Sequence, residues 1–286
     1  MPTAVVIANP EKPEALALAG RAERALSARG LETVTSTGMD DNLSGLDPVL
    51  AVVFGGDGTV LWAVAGLGPE PPPVLAFNVG RLGYLADNPP DRLEEMIADA
   101  LEGRMRSSRR MMIDATVEQG GETRRWTALN EFALATRSHE RLLPISVAVD
   151  DEELMDLRGD GVVVSTPTGS TAYALSAGGP VASPELSALI LAPICPHQLA
   201  NRSLVLDPGE TVTLRHLGEH PVELMADGRF CREINRGEKL RFRMSQSVAR
   251  LLSPARGRYK VLREKLGWGW KAEWERRESA RISGRH

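Results

Sequence analysis

The chain has little cysteine, no strong charge of either sign and no long apolar run, and each shortage removes a class of protein. Cys195 and Cys231 are the two cysteines and no CxxC pair occurs, which argues against a disulfide framework or a zinc site. No segment approaches the ~20 consecutive apolar residues of a membrane-spanning helix. The N-terminus, MPTAVVIANPEKPE, lacks the basic start and apolar run of a secretion signal. A formal net charge of −4 gives no global attraction to nucleic acid. No internal repeat is visible. What remains is expected to be a cytoplasmic enzyme, a chain of ordinary composition with 286 residues of which 42% are hydrophobic and 25% charged. A chain of this length can bury roughly 75% of its unfolded surface without staples.

Two patterns divide the chain. Residues 4–8 (AVVIA), 49–54 (VLAVVF) and 74–77 (VLAF) are short continuous apolar runs, the mark of strands covered on both faces. Between and after them the spacing predicts helices over 13–29, 59–67 and 91–102. The first carries Leu16, Ala19, Ala22 and Leu26 on one face, and Asp91 lies at or near the start of the third. Residues 1–108 are therefore expected to form an α/β nucleotide-binding domain with a mainly parallel, Rossmann-like sheet. A basic run over 104–110 (RMRSSRR) reads as a solvated linker rather than an anion patch. Beyond it come short alternating runs at 113–118, 123–128, 145–149, 162–165, 204–206, 212–215 and 240–244. Turn signals such as Asp150-Asp151 and Asp227-Gly228 separate them. Residues 109–254 are expected to form a β-rich domain, with 255–286 rejoining the first. His216 and His220 read as surface residues, and Trp268 as an anchor for the charged tail.

Two motifs carry chemistry. Gly55-Gly56-Asp57-Gly58-Thr59 follows an apolar strand and opens a helix. Glycines let backbone amides approach a ligand closely, and the helix start favours phosphate. An Asp there repels an anion, unless it accepts a proton from an attacking hydroxyl or bonds a sugar hydroxyl. The bland alternative is an ordinary turn with Asp57 as a cap. The motif matches neither GxGxxG nor the Walker pattern. The second motif runs over 158–180 (RGDGVVVSTPTGSTAYALSAGGP): a turn at Asp160-Gly161, a strand, then hydroxyls at Ser165, Thr166, Thr168, Ser170, Thr171 and Tyr173. So many hydroxyls beside so few charges suggest close hydrogen bonding to a polar ligand. Between the motifs, Asn130 and Glu131 lie side by side within apolar flanks. In a strand they point to opposite faces, so at least one meets an interior or a cleft, where a ribose diol or adenine edge can pair with it.

Taken in order, GGDGT, NxGxLGYL (78–85), LNE (129–131), RGDG with STPTGSTAY and SAGGP (158–180), APICPH (192–197) and VLREKLGW (261–268) resemble bacterial NAD kinases. GGDGT alone is shared with lipid kinases and phosphofructokinases. STPTGSTAY at this distance from it is far more specific. The resemblance implies transfer of the γ-phosphoryl group of ATP to the 2′-hydroxyl of the adenosine ribose of NAD. It implies Mg²⁺ with the ATP and leaves polyphosphate open as a donor. It also implies a homodimer or homotetramer. Asp57 matches the catalytic proton acceptor, with Gly56, Gly58 and Thr59 beside it. Asn130 and Glu131 match a pair that holds NAD. Arg158 and Asp160 match charged positions at the nicotinamide end. Thr171, Ala172, Tyr173, Ala174, Leu175 and Ser176 match the loop that wraps the dinucleotide, and Arg141 and Cys195 match further contacts. Trp62 departs from the family, standing where many members carry Arg, and Arg81 is a candidate replacement cation. Arg229 replaces the Gln of a DGQ segment, and Tyr84 a Phe. The rival readings are a lipid or sugar kinase with the same glycine loop, and a non-catalytic NAD(P)-binding regulator.

Overall fold

The computed structural model describes residues 1–38, 43–80, 83–119, 122–136, 142–198, 200–253 and 260–268. The first third alternates as expected: β1 (Thr3–Ala8), α1 (Pro13–Ser27), β2 (Glu32–Ser36), β3 (Leu50–Gly55), α2 (Asp57–Gly66), β4 (Val74–Asn78) and α3 (Leu93–Leu101). β2, β1, β3 and β4 lie side by side in that order, all parallel. Alternate residues of β1 enter two separate cores. Ala4, Val6 and Ala8 pack with α1 and α3, whereas Val5 and Ile7 pack with α2. Both sheet faces are thus covered, which is why these strands are apolar throughout. Leu16 is exposed, contrary to its expected place on the buried face of α1, which is formed by Ala15, Leu18, Ala19, Ala22, Ala25 and Leu26. Asp91 lies in a short 3₁₀ turn, Pro90–Arg92, ahead of α3, and provides no cap bond.

The remaining strands are β5 (Arg106–Gln119), β6 (Glu122–Ala128), β7 (Glu131–Ala135), β8 (Leu143–Val149), β9 (Glu152–Gly159) and β10 (Gly161–Ser165). After a short helix, α4 (Tyr173–Ser176), come β11 (Leu189–Ile194), β12 (Leu204–Leu206), β13 (Val212–His216), β14 (Val222–Ala226), β15 (Arg229–Ile234) and β16 (Lys239–Ser253); α5 (Lys260–Lys265) follows. The parallel sheet continues from β4 through β16 into β13, β8 and β9, with β5 and β6 attached to β16. A second sheet, ordered β12-β11-β10-β7-β14-β15, is antiparallel throughout. The two sheets face one another across a core containing Phe132 and Phe242, whose rings lie 5.6 Å apart. The other face of β10 and its neighbours packs against α4, through Val163, Ala133, Ala192 and Ala174.

The run over 104–110 is not a solvated linker: from Arg106 onward it is β5, with Ser108 buried and burial pulling the Arg110 guanidinium below its usual range. Basic side chains hide a strand there because alternate residues face the core while their neighbours reach solvent. His216 is also buried, with its Nε2 2.8 Å from the His220 carbonyl oxygen. Trp268 is exposed rather than anchoring, while the Lys265 ammonium sits 5.4 Å from the Tyr84 ring centre.

Candidate active site

The chain leaves β1 through α1 toward β2 on one side, whereas β3 lies on the other side of β1. Such a reversal opens a crevice at the carboxyl ends of the two strands, where α/β proteins bind ligands. The glycine loop occupies that crevice. Gly55, the last residue of β3, must be glycine because a Cβ there would lie 2.2 Å from the Thr59 hydroxyl oxygen. A Cβ at Gly56 or Gly58 meets nothing within 4 Å, so packing within the chain does not require glycine at either position. Close approach of a ligand to the backbone does supply a reason. Gly56 caps α2 without a side-chain bond, leaving the first amides of the helix for an anion.

Asp57 does not cap its own helix. Its Oδ1 accepts from the amides of Leu85 (2.8 Å) and Ala86 (3.2 Å), and its Oδ2 accepts from that of Tyr84 (2.8 Å). Gly83 starts this turn, its amide donating to the Ala86 carbonyl, and a Cβ on it would lie 2.1 Å from Asp57 Oδ1. The glycine is thus a steric requirement of the carboxylate. Gly83→Ala forces carboxylate and turn apart, an overpacking that costs about 1–3 kcal/mol. The expected result is at least a tenfold loss of kcat, roughly the scale of one misplaced catalytic group, with a folded circular-dichroism spectrum. Wild-type kcat in a folded variant contradicts it.

The second half of the site is built where β7 begins. Leu129 belongs to the same core as Val60 of α2, Leu85 and Ala86, so the start of β7 and the helix after the glycine loop border one core. Asn130 and Glu131 are both buried, and Asn130 Oδ1 and Glu131 Oε2 find no hydrogen-bond partner among the described residues. Glu131 receives one bond, from the Tyr173 amide, while burial first and the neighbouring Asp227 second push its carboxyl up to about 8. Its protonated form therefore predominates at neutral pH. Two orphaned polar atoms side by side are rare in a native interior, and both call for partners that the described residues do not supply.

The hydroxyl run explains itself differently from the sequence expectation. Ser165, Thr166 and Ser170 are fully buried and serve the loop itself. Ser165 Oγ donates to the Asn130 carbonyl (3.1 Å), Thr166 Oγ1 to that of Leu129 (2.7 Å), and Ser170 Oγ to that of Pro167 (2.7 Å). Gly169 packs so closely that a Cβ would lie 2.3 Å from the Asn130 carbonyl oxygen. These residues fasten the loop to the Asn130–Glu131 segment. Thr168 is the exception, its buried Oγ1 having no partner among the described residues. Beyond them, Thr171, Ala172 and Leu175 are partly exposed, and Tyr173 and Ser176 are exposed. Ala174 faces the core.

Asp160 lies where the chain passes from β9 in one sheet to β10 in the other, so it is not a simple turn. The flanking glycines are forced: a Cβ on Gly159 would meet the Ile194 carbonyl at 2.6 Å, and one on Gly161 that of Leu134 at 2.4 Å. Cys195, at a left-handed φ of 46°, shares a hydrogen bond with Asp160 that pushes the thiol up. The fields of Cys195, Asp160 and Glu131 all reach the Tyr173 hydroxyl, raising it further after desolvation. Tyr173, Glu131, Asp160 and Cys195 are therefore one cluster. Arg158 is exposed nearby on β9, its carbonyl accepting from the His197 amide at 2.9 Å. Arg141 and Arg81 lie outside the described residues.

Trp62 is buried in the core with Val5 and Ile7, out of reach of a phosphate. Sequence reasoning missed two residues that bear on the site. Lys12 donates to the Val79 carbonyl, and its Nζ lies 3.4 Å from where a Gly80 Cβ would sit, which sets a cation at the crevice rim. Its position just before α1, after the first parallel strand, was the available signal. Asp227 holds the backbone of Leu129, Asn130 and Glu131; its Asp-Gly pair signalled the turn but not this contact.

Residues 44–105 match the ATP-NAD kinase N-terminal domain family and residues 129–253 the ATP-NAD kinase C-terminal domain family. The chain is 39% identical over 227 residues to the NAD kinase of Shewanella halifaxensis, covering 78% of this chain and 73% of that protein. It is 37% identical over 223 residues to the NAD kinase of Syntrophotalea carbinolica, covering 77% and 78% respectively. Among solved structures, an NAD kinase from Archaeoglobus fulgidus in complex with ATP superposes with a TM-score of 0.75 at 26% identity, covering 93% of this chain and 98% of the other. Yeast NADH kinase complexed with NADH superposes with a TM-score of 0.84 over 94% of this chain and 88% of the other, and at 22% identity shows the shared fold. Fold and relatives together define a two-domain, nucleotide-dependent phosphotransferase. The chain belongs to the NAD kinase family. Its activity is that of an NAD kinase, which disfavours the lipid-kinase, sugar-kinase and regulator readings.

Proposed function

We propose that the γ-phosphoryl group of ATP passes to the 2′-hydroxyl of the adenosine ribose of NAD, with the adenosine half held at Asn130, Glu131 and Tyr173. The observation that carries this reading is the pair of buried, unpartnered atoms Asn130 Oδ1 and Glu131 Oε2. An amide oxygen suits the exocyclic amine of adenine, and a protonated carboxyl suits a hydroxyl, to which it can donate as well as accept. The exposed ring of Tyr173 offers a stacking face. The donor phosphates lie over the first turn of α2, at Gly56, Gly58 and Thr59, with Lys12 at the rim. Arg158, Asp160 and Cys195 face the nicotinamide end, and Arg141 is a further contact.

Asp57 is the proton acceptor. A carboxylate offers about four lone-pair sites, and three are taken by the amides of Tyr84, Leu85 and Ala86. The remaining site, on Oδ2, faces the incoming hydroxyl. As the oxygen–phosphorus bond forms, the hydroxyl proton moves to that oxygen, and ADP leaves with the electron pair of the broken bond. The amides fix the carboxylate so that this step needs no reorganisation.

The residues present fit a cation carried in by the triphosphate. No group of three or more His, Cys, Asp or Glu side chains gathers among the described residues, and Mg²⁺ characteristically keeps waters and phosphate ligands. Its chemistry there is to offset phosphate charge. The same reading takes residues 1–108 as the donor-side domain and 109–254 as the NAD-side domain, with 255–286 returning to the first. It takes the working enzyme as a cytoplasmic homodimer or homotetramer.

Incubation with ATP, Mg²⁺ and NAD is expected to yield ADP and NADP in equal amounts, with the new phosphate on the 2′ oxygen by phosphorus NMR. A parallel incubation with polyphosphate tests the donor. NAD binding without NADP, or a phosphate at the 3′ position, overturns the reading.

A further inference from the structure

We infer that Asp227 is a positioning residue for NAD: its carboxylate, presented by the β14–β15 hairpin, holds residues 129–131 in the one backbone arrangement that turns Asn130 and Glu131 toward the ligand. The inference rests on the assignment of those two residues to NAD. Three consecutive amides converge on this carboxylate, from Leu129 (2.9 Å to Oδ2), Asn130 (2.8 Å to Oδ1) and Glu131 (3.1 Å to Oδ1). Consecutive amides of a strand point to opposite sides, so three that converge define a nest-like bend, not a strand. The bend occurs where the neighbouring ladders run out. β7 pairs with β14 as far as Phe132–Ala226 and with β10 as far as Glu131–Ser165. Asp227 is the next residue after Ala226. It continues the pairing through its own amide, which donates to the Glu131 carbonyl at 3.0 Å, and through its side chain.

A plainer reading gives Asp227 only the turn. Asp227 and Gly228 have φ of 49° and 76°, and Asp-Gly is a preferred pair for a hairpin with both central residues at positive φ. The turn alone does not require an acid, because Asn and Gly take up the same backbone as readily. The three inward bonds to buried residues are what the acid adds.

The carboxylate also sets the charge on its neighbour. Asp227 and the Tyr173 amide act on Glu131, while Asp160 and Cys195 act on Tyr173 and Arg229 acts on Asp227. Burial raises both carboxyls, Asp227 against three amide bonds and Arg229, and Glu131 against one bond with the field of Asp227 added, which favours a proton on Glu131 for donation to a sugar hydroxyl.

The test is Asp227→Asn in the full chain, assayed for NADP formation. Asn keeps the turn but loses the charge and one acceptor. Loss of a hydrogen bond to a charged group is expected to raise the KM for NAD by about tenfold or more, with the KM for ATP within about twofold, or about 0.4 kcal/mol. The limb of the pH profile set by Glu131 is expected to move to lower pH, because a like charge has gone. Asp227→Gly, which keeps the left-handed backbone, provides the same measurement if the Asn variant misfolds. An unchanged KM for NAD, or equal rises for NAD and ATP with an unmoved pH profile, overturns the inference. Asn130→Ala separates the two levels. If it leaves NAD binding intact, the assignment of the pocket fails; if it weakens NAD while the Asp227 variants do not, the positioning role alone fails.

Discussion

Asp57→Asn is expected to lower kcat by about 10³-fold, within the range of a lost general base, while NAD affinity stays within a few-fold. An amide nitrogen in place of Oδ2 has no lone pair to offer the ribose hydroxyl. It also sets N–H against N–H at the Tyr84 amide, which the carboxylate accepts at 2.8 Å in the wild-type chain. The 83–86 turn must then shift, so part of the loss is positional. The proposed adenosine contacts are expected to survive, because the Asn130–Glu131 segment is held by a different set of bonds. Single-turnover kinetics with NAD and ATP both saturating isolate the chemical step. Turnover near that of the wild type shows that Asp57 is not the proton acceptor. A parallel collapse of NAD affinity gives it a binding role instead.

Glu131→Gln is expected to change how stability depends on pH. The Glu131 carboxyl is raised from an ordinary value of 4.5 to about 8 in the folded chain. Between those values the native state holds a proton that the unfolded state has released. Stability therefore falls as pH rises through that window, then stays low above it. The displacement corresponds to a few kcal/mol, enough to read as several degrees in thermal unfolding. Gln mimics the protonated acid and does not titrate. The variant is expected to match the wild type near pH 5, to exceed it at pH 9, and to retain NAD binding at neutral pH. Superimposable Tm–pH curves for the two proteins contradict a buried, protonated Glu131.

Much of the site was legible in one dimension. The glycine loop could be read because strand, loop and helix are contiguous, and their periodicities change where the backbone turns from β3 into α2. The neighbours Asn130 and Glu131 stood out as polar residues with apolar flanks. The hydroxyl run was recognised as unusual, yet its meaning was inverted for Ser165, Thr166 and Ser170. A serine that pairs with a ligand and one that pairs with a carbonyl 35 residues away have the same composition. The basic run at 104–110 misleads for a related reason, since arginine and serine carry no apolar signal even where Ser108 is buried and Arg110 is partly buried in β5.

What the sequence determined by itself is the local chemistry: which residues can turn, cap, donate and accept, and the order in which they occur. That was enough for the α/β layer, the β-rich half and the kinase family. Only the tertiary structure decided which acid acts on which amide. Asp57 is held by amides 27 to 29 residues downstream and Asp227 by amides 96 to 98 residues upstream. Both contacts depend on sheet order and strand register, which arise from burying two cores at once. A carboxylate's role is set by what surrounds it, and those surroundings come from parts of the chain that periodicity cannot bring together.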